Sequence, residues 1–86
     1  MSDVATRVKN VIAEELGAEV ALLSPATRLR EDLGLSDGDL SYLLAEVESE
    51  FDIVLDADDG AEASTVGRMI RLVEKHAASF DRRRRR

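Results

Sequence analysis

Three stretches of this chain repeat apolar side chains at intervals of three and four residues, and no stretch signals strand pairing. Val4, Val8, Val11, Ile12 and Leu16 form the first set; Leu40, Leu43, Leu44, Val47 and Phe51 the second; Val66, Met69, Ile70, Val73 and Ala77 the third. That spacing lays each set along one face of an α-helix, and the faces must be buried against one another. Local signals bound the helices. Ser2 or Asp3 can cap the first and Gly17 stops it; Ser36 can cap the second, with Asp39 three residues on in the place where a capping box usually has Glu; Ser64 or Thr65 caps the last. The second helix is then predicted from about Asp37 to Phe51. Residues 57 to 62 have room for one short helical turn. Between the first two helices runs a long connection from Ala18 to Leu35, holding Pro25 and five leucines, Leu22, Leu23, Leu29, Leu33 and Leu35, which are expected to pin it to the core. Ile53, Val54 and Leu55 make a second, apolar connection. The fold class that follows is all-α: a small four-helix bundle of three longer helices and one short one, with a long first loop.

Length and composition narrow the function. At 86 residues the chain is one domain, able to remove only about 60 to 65% of its unfolded surface from water. It has no Cys, so neither disulfides nor thiolate chemistry are available, and one His leaves no imidazole metal site. No run approaches the ~18 apolar residues of a membrane span, and the start lacks a signal-peptide pattern, so a cytoplasmic protein is expected. The formal charge of −6 is unevenly placed. Residues 31 to 62 carry twelve acids and no Lys or Arg, whereas residues 63 to 86 carry eight bases against Glu74 and Asp81. A body of that kind repels nucleic acid and anionic membrane and attracts basic protein surfaces.

Few residues suggest chemistry of their own. The carboxylates do not sit among apolar neighbours that would raise a pKa for acid catalysis, so no catalytic residue is assigned and no enzyme is expected. The run Asp56-Ala57-Asp58-Asp59-Gly60 falls out of register with a calcium loop, because the Gly comes at the fifth place and Gly67 stands where the bidentate Glu belongs; no metal site is assigned. His76, near the end of the last helix, reads as a solvent-facing residue favoured by the helix dipole. Phe80 and Arg82 to Arg86 read as a frayed tail beyond a domain of residues 1 to 80, with residues 81 to 86 disordered. Binding of nucleic acid or membrane through that tail is the alternative of another class, set against the missing interleaved aromatics and the acidic body.

Four segments in order carry a resemblance: Arg7-Val8-Lys9-Asn10-Val11-Ile12-Ala13-Glu14-Glu15-Leu16-Gly17, Glu31-Asp32-Leu33-Gly34, Glu48-Ser49-Glu50-Phe51-Asp52-Ile53 and Ser64-Thr65-Val66-Gly67. Together they resemble the acyl carrier proteins of bacterial fatty-acid and polyketide synthesis, without gaps over about residues 7 to 76. The resemblance implies a four-helix bundle whose second helix is recognised by basic-surfaced synthase or transferase enzymes, here through Asp37, Asp39, Tyr42, Glu46, Glu48, Asp52 and Asp56. From the charge of the body no binding of nucleic acid or membrane is expected, and the chain is expected to be a monomer.

The family attaches its group to a Ser three residues after the Gly of Asp-Leu-Gly and fourteen before the Phe. Both counts arrive at Asp37. Ser36 stands where the family has Asp, Gly38 where an apolar Leu usually follows, and Ser41 and Tyr42 depart from the common Val and acid. The main reading is therefore an acyl-carrier-like protein with no cofactor, docking on its partners through the acidic second helix. The alternative is a genuine carrier bearing 4'-phosphopantetheine on Ser36.

Overall fold

The computed structural model describes residues 3–84, and side chains as far as residue 76. Four helices follow one another: α1, Val4–Leu16; α2, Asp37–Phe51; α3, Ala57–Glu62; and α4, Val66–Arg84. A single turn of 3-10 helix, Val20–Leu22, interrupts the long first connection. The described residues thus form the small all-helical bundle that the apolar spacing predicts.

Each boundary has a local cause. Asp3 accepts hydrogen bonds from the backbone N–H groups of Ala5 and Thr6 and from the Thr6 hydroxyl, satisfying donors that the start of α1 would leave free. Gly17 ends α1 in the left-handed region at φ 66°, where a side chain would be strained. Ser2, the other candidate cap, lies outside the described residues. At α4 the choice between Ser64 and Thr65 falls to Thr65, whose hydroxyl accepts from Arg68 N–H at 3.1 Å.

The core is one cluster drawn from three helices and the first connection. Val8 and Ile12 of α1, Leu43 and Val47 of α2, Val66, Met69 and Val73 of α4, and Leu29 of the connection are all fully enclosed. Helix α1 packs on both α2 and α4, and α3 packs on α4. Leu23 and Leu35 are buried and Leu33 is partly covered, so four of the five connection leucines reach the core. Leu22 does not: it is 74% exposed. A 3-10 turn brings residues i and i+3 onto one side, so Val20 and Leu23 face inward and Leu22 is turned out. Val54 is likewise 80% exposed between the buried Ile53 and half-buried Leu55, because successive residues of an extended segment face opposite ways.

Two further features depart from expectation. Helix α4 continues to Arg84, into the segment expected as a frayed tail; nothing between Arg68 and Arg84 is Gly or Pro, and Ala and Arg favour the helix. Arg85 and Arg86 lie outside the described residues. His76 is not simply a solvent-facing residue either. Its Nε2 lies 3.2 Å from Asp59 Oδ2, both side chains are largely covered, and the contact joins α4 to α3.

The connection is tied to the start of α4 by backbone bonds. Leu29 N–H donates to Ser64 O, Val66 N–H to Thr27 O and Gly67 N–H to Pro25 O, the last at 2.9 Å. A Cβ on Gly67 would stand 2.9 Å from that same Pro25 oxygen, whereas one on Gly60 would meet only the Leu44 Cδ1 methyl at 3.0 Å. Gly67→Ala is therefore expected to destabilise the fold by about 1–3 kcal/mol through backbone overpacking. Gly60→Ala is expected to cost far less, since a methyl at the end of a flexible side chain can move and Ala gains ~1 kcal/mol of helix propensity. Denaturant unfolding of the two variants checks the difference; equal losses would mean the Pro25 contact is not the constraint.

Candidate functional site

The start of α2 is built by a short folded loop. Asp32 accepts from the Arg28 backbone N–H at 2.8 Å and from its guanidinium at 3.1 Å, while Asp32 and Leu33 N–H groups donate back to Arg28 O. Gly34 turns through the left-handed region at φ 70°, its N–H bonded to Arg30 O, and Leu35 plugs into the core. This turn leaves Arg30 beside the first residue of α2.

Ser36 and Asp39 close the capping box. Ser36 Oγ accepts from Asp39 N–H at 3.1 Å, and Asp39 Oδ2 accepts from Ser36 N–H at 3.0 Å. The Ser36 hydroxyl oxygen is thus already in use as a helix cap. Asp37 opens the helix proper, 85% exposed, with its carboxylate ion-paired to the Arg30 guanidinium. Beside the pair lies a groove of about 390 Å³ between α2 and α3. Leu40, Leu44, Ala57 and Gly60 contribute its apolar lining, and Arg30, Asp37, Ser41 and Asp56 its polar lining.

The seven residues expected to meet a partner are divided by the fold. Asp39, Tyr42 and Glu46 are exposed and follow one another on successive turns of α2. Asp37 and Asp56 line the groove on the other side. Glu48 is half-buried, and its carboxylate accepts the Leu55 N–H at 2.7 Å, holding the α2–α3 connection. Asp52 is the C-cap of α2, in the left-handed conformation at φ 56°. Asp56 caps α3 in a second box with Asp59, the N–H of each bonded to the other's carboxylate at 2.8 and 3.1 Å.

Two members of this region escaped sequence reasoning. Glu15 of α1 stands close enough to Tyr42 that, after the larger effect of Glu46, its charge helps hold the phenol above its usual pKa. Arg30 belongs to the site through its pair with Asp37. Seven residues across a loop is not a helical spacing, and nothing local points to either contact. Among the described residues no group of three or more His, Asp or Glu side chains could hold a metal ion.

Residues 6–73 match a family model described as a phosphopantetheine attachment site, a span that takes in most of α1, the folded loop, the whole of α2 and α3 and the first part of α4.

The Asp39 carboxyl is held below its ordinary value of 3.8, first by the Ser36 backbone N–H and then by the Ser36 side chain. A depressed folded-state pKa stabilises the fold above the unfolded value and loses that contribution as pH falls through the folded one. The difference in thermal midpoint between the parent and Asp39→Ala is accordingly expected to be constant above pH ~5 and to narrow below pH ~4. Midpoints measured from pH 7 to pH 3 check this. A difference that persists unchanged at pH 3 would mean the box does not depend on the carboxylate charge.

Proposed function

The chain belongs to the phosphopantetheine attachment-site family, and we propose that this acyl-carrier-like member works as a non-covalent docking partner of synthase or transferase enzymes rather than as a loaded carrier. Members of the family carry 4'-phosphopantetheine and serve as carriers rather than catalysts. Here the residues at the start of α2 do not suit a covalently held group. The observation that carries the reading is Asp37: an exposed carboxylate, paired with Arg30, is the first residue of the helix. A carboxylate offers no hydroxyl for a phosphodiester, and an acyl phosphate in its place hydrolyses. Ser36 has a hydroxyl, but modifying it would disturb an N-cap whose loss costs about 0.5–2 kcal/mol.

What Asp37 does offer is a fixed negative charge. A helix N-terminus favours an anion through its free N–H groups and dipole. Asp37 places one there permanently, where a loaded relative has its phosphodiester. Asp39, Tyr42 and Glu46, with Glu15 alongside, extend the acidic surface along α2 and suit it to a basic patch. Arg30 competes with that patch. Because the Arg30–Asp37 pair is solvent-exposed, it is worth only about 0–1 kcal/mol and can be displaced.

Opposite changes at the two residues test the reading. Against a phosphopantetheinyl transferase with a basic docking surface, Asp37→Asn is expected to weaken binding by about two- to fivefold at low salt, and Arg30→Gln to strengthen it by a similar factor. Both differences should shrink between 0.1 M and 1 M salt, as the screening length drops from about 10 Å to about 3 Å. Calorimetric titration measures them. Equal affinities for the parent and both variants at low salt would rule Asp37 out as a docking charge.

A further inference from the structure

Helix α4 carries a second charged face, opposite in sign to α2. Arg68, Arg71 and Lys75 are exposed, spaced by three and four residues, while Val66, Met69 and Val73 of the same helix are buried. Every arginine before α4 is engaged with an acid: Arg7 with Glu50, Arg28 with Asp32, Arg30 with Asp37. Among the described residues Arg68, Arg71 and Lys75 form no ion pair. Together with Leu72 and the single acid Glu62 they line an open groove of about 540 Å³, larger than the one beside Asp37. The helical backbone continues through position 82, seven residues beyond Lys75 and fourteen beyond Arg68, so Arg82 falls on the same row of the helix.

We propose that this face is a second docking surface and that its occupant is a partner protein presenting an acidic helix. The spacing argues for a helix. Charges three, four and seven residues apart, with a 1.5 Å rise, span roughly 10 Å along α4, which a helix laid beside it can match with carboxylates on successive turns. A long polyanion fits less well: a duplex reaching beyond α4 meets a neighbouring segment with twelve acids and no base. A membrane fits less well too, because among the residues with described side chains the exposed large apolar ones, Leu22, Tyr42 and Val54, lie outside α4. With acids on α2 and bases on α4, one molecule can hold a basic and an acidic partner at once.

The experiment uses the full chain and four probes: a synthetic helical peptide with Glu repeated at i, i+3 and i+7; a peptide of the same composition with those positions scrambled; duplex DNA; and vesicles of phosphatidylglycerol and phosphatidylcholine. The patterned peptide is expected to bind best at low salt, and Arg71→Glu with Lys75→Glu to weaken it by about tenfold or more. The milder Arg71→Gln with Lys75→Gln should weaken it less, and Asp37→Asn should leave it unchanged. Circular dichroism of every variant should match the parent, since both substituted residues are exposed. Four results would each overturn the proposal: no binding of the patterned peptide, equal binding of the scrambled one, tighter binding of DNA or vesicles through the same residues, or self-association in sedimentation that the Arg71 and Lys75 substitutions abolish. The last would make a second copy of the chain the occupant.

Discussion

Three backbone hydrogen bonds between residues 25–29 and residues 64–67 hold the long first connection against the start of α4, and the geometry of the candidate site depends on them. They seat Leu29 in the core next to Arg30, so the turn that follows can proceed only through Gly34 and Leu35 to the Ser36 cap. Without a disulfide to staple it, a connection of this length would otherwise cost chain entropy with little return. Gly67 is the point of closest approach, where any side chain would strike the Pro25 carbonyl. Core packing, loop conformation and the Arg30–Asp37 pair are therefore consequences of one contact region.

The acidic segment is less uniform than its composition suggests. Asp32, Asp39, Glu48, Asp56 and Asp59 each accept a backbone N–H, which spends their charge on turns and helix starts. Twelve like charges in thirty-two residues oppose folding, and these bonds offset part of that repulsion. The docking surface we propose is accordingly narrower: Asp37 at the start of α2, then Asp39, Tyr42 and Glu46 along it. Asp39 stays exposed while it caps, because a cap uses one oxygen, so the proposed docking and the cap do not compete for it.

The parts of this fold legible in the sequence are those decided within a turn or two of the chain. Helix α2 begins at Asp37 because Ser36 and Asp39 form a box, and Gly17 ends α1 because only Gly adopts φ 66° cheaply. Apolar spacing named the fully enclosed residues of all three long helices, but not the buried Ala13 and Leu72. It could not separate Leu22 from Leu23, since that depends on the tightness of one 3-10 turn, nor show that His76 would find Asp59 across two helices. Of the site, Asp37 and Ser36 came from counting along the chain, whereas Arg30 and Glu15 came only from tertiary structure. The bases of α4 are present in the composition, but that Arg68, Arg71 and Lys75 form one unpaired row depends on which acids the fold brings near them, and the apolar periodicity ends at Ala77 while the helix does not.

On the reading we propose, this carrier-like chain holds no covalent group at the start of α2. Intact mass after incubation with coenzyme A and a broad-specificity phosphopantetheinyl transferase tests it most directly. The expected result is an unchanged mass for the parent and a phosphopantetheine increment for Asp37→Ser, with Gly38→Leu added if the apolar contact is also required. An increment on the parent chain, mapped to Ser36, would contradict the claim and make the protein a loaded carrier.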